Sequence, residues 1–214
     1  MISVSALIFD MDGTLIDSSR DIAASVNHTL QALGLPPKTK EEVEKFIGDG
    51  MKTLLERATG RSDAAFIAKA VEIFRPHYLE HCTDATVLYP GVRETLGSFA
   101  GKPMAMISNK PCEMVARILD HYGIRKNFEV VMGAESTAQK KPHPEPVLKS
   151  VAMMRALPGS CMIVGDGTTD IQAGKSAGVL TCAATYGFKD RRALESLKPD
   201  FLIDKIEDLK KIIL

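Results

Sequence analysis

Apolar residues along the chain fall into short continuous runs separated by stretches of helical spacing. The first run, Ser3 to Phe9 (SVSALIF), stops abruptly at Asp10, and similar runs recur at Pro103 to Ile107, Glu129 to Met132, Cys161 to Val164, Val179 to Ala183 and Phe201 to Ile203. Uninterrupted runs of this length predict strands covered on both faces, because a half-exposed strand would alternate apolar with polar positions. Between them, Pro111 suits the first turn of a helix that carries Val115, Ile118 and Leu119 on one face and stops at Gly123. Thr169 to Ala177 ends in the same way at Gly178. Alternating strands and helices predict an α/β fold, a Rossmann-like parallel sheet with right-handed crossovers.

Residues 16–85 break this rhythm and predict successive helices without a strand. Ile22, Val26, Leu30 and Leu33 recur at helical spacing before Gly34 and Pro36-Pro37. Thr39 and Glu42 have capping-box spacing, and Ser62 is placed to cap a helix bearing Phe66, Ile67, Ala70, Val71, Phe74 and Tyr78. The expected organisation is a catalytic core of residues 1–15 and 86–214, with a helical cap of residues 16–85. The return to the sheet is expected near Asp84 to Gly91, where Pro90 and Gly91 punctuate the chain.

Composition narrows the partners. The 214 residues are 45% hydrophobic, and 27 Lys and Arg balance 27 Asp and Glu. That is a globular composition without the basic field that nucleic acid or anionic lipid attracts. No run approaches the roughly 18 to 20 apolar residues of a membrane span. Cys82, Cys112, Cys161 and Cys182 lack CxxC spacing, so a reducing, cytoplasmic setting is expected, with no nucleic-acid or membrane partner and a monomer or homodimer as the assembly.

Four sites could carry chemistry. Asp10 and Asp12 follow the first strand, and Gly13 permits a turn. Carried on as a strand, the period of two would put both carboxylates on one side, where they repel unless a cation or proton separates them. A solvated strand-end turn is the plainer alternative. Ser108-Asn109-Lys110 follows the strand at Pro103 to Ile107, and its hydroxyl and the free amides of the next helix suit phosphate oxygens, although a Ser before Pro111 could simply cap. Lys141 lies in the rigid loop Lys140-Lys141-Pro142-His143-Pro144-Glu145-Pro146, or is one of its solvated lysines. In Gly165-Asp166-Gly167-Thr168-Thr169-Asp170, Asp166 stands at a strand tip and Asp170 one helical turn on, where a carboxylate also complements the helix dipole. Asp10, Ser108 and Asp166 share one feature: each comes directly after a strand. In a parallel sheet those ends form one rim, where open α/β folds bind ligands. Carboxylates, a hydroxyl and a lysine on that rim describe a hard-cation phosphate site.

The set resembles the haloacid dehalogenase-like phosphohydrolases: D-M-D-G-T-L-I-D-S at Asp10 to Ser18, S-N-K at Ser108 to Lys110, K-P-H-P-E-P at Lys141 to Pro146 and G-D-G-T-T-D at Gly165 to Asp170 follow in the family's order. Helices inserted after the first motif resemble its cap. Ile47-Gly48-Asp49-Gly50, followed by Leu54 to Ala58, looks like the phosphoglycolate phosphatase group, with Gly167 and Asp49 standing where Ser and Asn are more frequent. The resemblance implies that Asp10 is a nucleophile forming an aspartyl-phosphate and that Asp12 is the acid and base. It implies Mg²⁺ held by the Asp10 carboxylate, the Asp12 backbone carbonyl and the Asp166 carboxylate, with Asp170 either a direct ligand or a support one contact further out. Ser108 and Lys141 would bind the transferring phosphoryl group, with Thr14 and Asn109 as further substrate contacts. Gly48, Asp49, Gly50, Lys52 and Arg57 are candidate contacts from the cap, a solvated helix face being the plainer alternative for Lys52 and Arg57.

These features lead to a Mg²⁺-dependent phosphatase for a small phosphorylated metabolite, with 2-phosphoglycolate the leading substrate. An inorganic pyrophosphatase or sugar-phosphate phosphatase is the alternative within the scaffold, and a catalytically silent phospholigand-binding regulator the alternative outside it. Retention of Asp10, Asp12, Lys141 and Asp166 argues against silence. Gly174-Lys175-Ser176-Ala177-Gly178 has a hydrolase-elbow pattern but lies in a predicted helix before a strand, the reverse of the required order. His77, His81 and Cys82 have metal-ligand spacing but no further ligand nearby in the sequence, so they are expected to be ordinary cap-helix residues.

Overall fold

The computed structural model describes residues 1–214. Its main sheet has six parallel strands: β1 (Ala6–Phe9), β4 (Met104–Ile107), β5 (Val130–Met132), β6 (Cys161–Gly165), β7 (Leu180–Ala184) and β8 (Phe201–Ile203). They lie in the order β5-β4-β1-β6-β7-β8. Every expected strand is present. The order reverses across β1, the central strand, whose residues are all buried.

Period-two geometry explains why the runs are apolar throughout. Leu7 and Phe9 of β1 join one core with Met106 and Val164, covered by Val115 and Ile118 of α6 (Cys112–His121). Ala6 and Ile8 face the other way, with Ile107 and Ile163, against Val147 and Val151 of α7 (Glu145–Met153) and Ala173 of α8 (Thr168–Ala177). Both faces of β1 are packed, so both sets of its alternate positions are apolar.

Between β1 and the rest of the sheet come α1 (Ser19–Ala32), α2 (Lys40–Glu44), α3 (Met51–Thr59) and α4 (Ala64–His81). Thr39 and Glu42 form the expected capping box at α2. Ile22, Val26, Leu30, Leu55 and Phe74 from these helices join the same apolar cluster as Leu7 and Phe9.

Two expectations are corrected. The α4 cap is Asp63, whose carboxylate accepts from the Phe66 amide at 2.9 Å; Ser62 lies one residue outside. The interval 16–85 also contains a strand: β2 (Ile16–Asp17) pairs antiparallel with β3 (Val87–Leu88). Two residues are too few to show a period, and the partner is remote in sequence. The buried Asp21 carboxylate braces the same place, accepting from the amides of Ala85 and Thr86 and from the Thr86 hydroxyl at 2.7 Å. α5 (Val92–Ser98), α9 (Arg191–Ser196) and α10 (Leu209–Ile212) complete the chain.

Candidate active site

The carboxyl ends of β1, β4 and β6 deliver Asp10, Ser108 and Asp166 to one rim. The Asp10 amide donates to Val164 at 2.9 Å, so the strand ladder still holds the backbone at Asp10. Gly13 then turns at φ 80°, and a Cβ there would lie 2.1 Å from Asp166 Oδ2; only glycine allows this approach. Gly187, in the loop after β7, closes on Asp166 from the other side, where a Cβ would meet the Asp166 Cβ at 2.3 Å.

One oxygen each from Asp10, Asp166 and Asp170 lies within 4.8 Å of the others, and all three residues are buried. Lys141 is their cation. Its side chain is 1% exposed, with Nζ 2.6 Å from Asp170 Oδ1 and 2.9 Å from both Asp10 Oδ1 and the Ile107 carbonyl. The approach to Asp10 is an ion pair by distance, but its alignment leaves Asp10 Oδ1 buried without a hydrogen bond. Burial, then the neighbouring charge of Asp170, pushes the Asp10 carboxyl up to about 7 against the pull of Lys141. Burial and the charges of Asp10 and Asp170 push Asp166 up to about 8. Burial alone would lower Lys141, yet Asp10 and Asp170 hold it above its ordinary range.

Three carboxylates against one ammonium in a dry pocket, with an orphaned oxygen, fit a hard cation. The metal-free site therefore carries a pH signature. Carboxyls whose folded pKa is raised bind more protons than in the unfolded chain, so their charging destabilises the fold as pH rises. In chelator, Tm is expected to fall between about pH 5 and pH 8, and Mg²⁺ should flatten that fall. A Tm–pH profile by scanning calorimetry that is identical with and without Mg²⁺ would contradict this.

Asp12 stands apart from the trio. Its Oδ1 accepts from Lys110 Nζ at 2.7 Å and from the Ser18 hydroxyl, while Asp10 turns to Lys141. The chain bends at Met11, past the last ladder bond at Asp10, which removes the premise that placed both carboxylates on one side. Thr14 is also differently employed: fully buried, it donates to Asp166 Oδ1 at 3.1 Å and accepts from the Asp166 amide, bracing that carboxylate. Phe188 adds its amide to Asp166 Oδ2 at 2.8 Å, and the Asp170 carboxylate accepts from the Gly167 amide.

Asp10, Asp12, Ser108, Asn109, Gly48 and Gly50 line a common small cavity that opens partly to solvent. Asn109 Nδ2 donates to the Gly48 and Lys141 carbonyls, both at 2.9 Å, tying the loop before α3 to the Lys141 loop. Lys140 reaches the Asp49 carbonyl, and Lys189 the Lys45 carbonyl at 3.2 Å. The Asp49 side chain pairs with Arg57, so neither charge is free for a ligand. Lys52 is 67% exposed, 3.8 Å from Glu56 and outside the cavity lining.

Lys110 and Tyr78 have no separate place in the sequence reading, yet both line the cavity and touch each other. Lys110 had a signal as the third residue of the rim motif. The loop carrying Gly187 and Phe188 had one too, since it follows a strand at the same rim. Ser176 lies near the end of α8 and precedes β7, which excludes an elbow. His77 meets the Ser25 hydroxyl and His81 meets Asp84, without converging on a common point.

The chain matches the haloacid dehalogenase-like hydrolase family over residues 7–184. It is 39% identical over 209 residues to the phosphoglycolate phosphatase of Aquifex aeolicus, covering 97% of this chain and 95% of the relative. The corresponding Salmonella typhimurium enzyme is 35% identical over 230 residues, covering 97% and 91%. The crystal structure of a predicted phosphoglycolate phosphatase from Haemophilus somnus superposes with a TM-score of 0.93 at 32% identity, covering 99% of both chains. With the family match spanning most of the chain and the rim motifs gathered at one site, the protein belongs to the haloacid dehalogenase-like hydrolases.

Proposed function

We propose that the protein is a Mg²⁺-dependent phosphatase acting on a small phosphomonoester, with 2-phosphoglycolate as its substrate. The observation that carries this reading is the buried Asp10, Asp166 and Asp170 cluster, with Lys141 against Asp10, whose member Asp10 also lines a small cavity. The relatives' names support the substrate.

An Asp10 oxygen attacks phosphorus, and the phosphorus–ester oxygen bond breaks as Asp12 gives its proton to the departing oxygen. Water then attacks phosphorus, Asp12 takes the water proton, and the bond to Asp10 breaks with release of phosphate. Lys141 offsets the negative charge that gathers as a carboxylate approaches a phosphate dianion, and the Ser108 hydroxyl holds a phosphoryl oxygen. Mg²⁺, held by Asp10, Asp166, Asp170 and the Asp12 carbonyl, would supply the remaining positive charge. Thr14 and the Phe188 amide orient Asp166 for that task. The loop at Gly48 to Gly50, latched to Asn109, screens the reaction from bulk water. The free thiols Cys82, Cys161 and Cys182, all buried, suit a reducing, cytoplasmic setting.

A release assay for inorganic phosphate across 2-phosphoglycolate, pyrophosphate and sugar phosphates tests this. Phosphoglycolate should be turned over fastest, and only with Mg²⁺ present. Equal rates in chelator, or pyrophosphate as the better substrate, would refute the reading.

A further inference from the structure

Lys110 is a buried cation whose visible partners do not account for its position. Its side chain is 5% exposed, and Nζ donates to Asp12 Oδ1 at 2.7 Å and to the Tyr78 hydroxyl. An ammonium has three donors, and the third meets no protein acceptor. Nζ also sits 4.7 Å from the centroid of the Tyr78 ring, so α4 packs the cation in place from above the rim. Lys110 is the one positively charged side chain lining the cavity; beyond it the wall is apolar, with Ile47, Met51, Leu54 and Phe74.

We propose that Lys110 is the specificity-determining residue of the cavity, binding a carboxylate carried by the substrate close to its ester oxygen. This rests on the phosphatase reading above, in which Asp12 faces the leaving oxygen. Because Lys110 contacts Asp12 at 2.7 Å, a group on Lys110 is at most three hydrogen-bond lengths from that oxygen, roughly 8–9 Å as an upper bound. A carboxylate one or two carbons from the ester oxygen falls within that reach. A longer tail would run past the ammonium into apolar side chains, and a neutral hydroxyl would leave the buried cation with less compensation than an anion supplies. A second phosphate is disfavoured because it sets two charges against one ammonium beside the Asp12 carboxylate.

Titration calorimetry with non-hydrolysable ligands in Mg²⁺ separates this contact from catalysis. 2-Carboxyethylphosphonate and propylphosphonate have similar length and differ in the terminal carboxylate. Wild type should bind the first about 10- to 100-fold more tightly, the range for a hydrogen-bonded charge pair. Lys110→Met should erase that margin while leaving propylphosphonate affinity within about 2-fold, a change too small to signal an altered phosphate site. Lys110→Arg, which keeps the charge, should retain part of it. Propylphosphonate binding also reports that each variant is folded. A margin that survives in Lys110→Met, equal losses for both ligands, no margin in wild type, or tighter binding of methylenediphosphonate than of the carboxylate would overturn the proposal. A wild-type protein that shows the margin but releases no phosphate from phosphoglycolate would support the carboxylate contact and refute the hydrolytic reading alone.

Discussion

Asp10→Asn is expected to lower phosphatase turnover by roughly 10⁴-fold or more, the scale seen when a covalent nucleophile is removed, with no loss of folded protein. The amide is nearly isosteric with the carboxylate but cannot form the aspartyl-phosphate. Stability should not suffer, because the charge removed is an unfavourable one. Asp10 is pushed up to about 7 by burial and by Asp170, so ionising it near neutral pH costs free energy in the metal-free protein. In chelator the variant should melt at or above the wild-type temperature. Near-normal phosphate release by Asp10→Asn would remove it as the nucleophile.

Lys141→Met should lose both function and stability. Lys141 is the shared counter-charge of Asp10 and Asp170 and is itself buried. Removing one partner of a buried ion pair leaves an uncompensated charge and costs about 3–5 kcal/mol. Proton uptake by Asp10 or Asp166 relieves part of this, so the lower end is expected near pH 7. Loss of the charge that screens the approaching phosphate should reduce kcat by about 10²- to 10³-fold. The diagnostic readout is metal dependence: added Mg²⁺ should raise Tm more in Lys141→Met than in wild type, because it meets more unpaired negative charge. Equal Mg²⁺ shifts with an unchanged kcat would contradict the role given to Lys141.

The rim was legible in the sequence because a strand covered on both faces ends visibly. Asp10 and Asp166 each interrupt an apolar run, and a parallel sheet brings such interruptions together without further information. Lys141 was legible for a local reason, since the prolines around it limit where its loop can go. Side-chain partnerships were less so. Thr14 reads as a substrate contact until Asp166, remote in sequence, takes its hydroxyl. Lys52 reads as a cap contact until helix geometry points it to Glu56 and solvent. The meeting of Lys110 with Tyr78 joins a rim loop to α4 and leaves no local periodic trace. Ser62 and Asp63 are both good caps by residue type; the helix start chose between them.

The central claim is that phosphoryl transfer passes through the Asp10 carboxylate. Rapid acid quench during a single turnover of ³²P-labelled 2-phosphoglycolate with Mg²⁺, followed by peptide mapping, tests it most directly. The account predicts transient, hydroxylamine-sensitive label on the peptide containing Asp10, and none in Asp10→Asn. Label on a peptide without Asp10, or label stable to hydroxylamine, would contradict it.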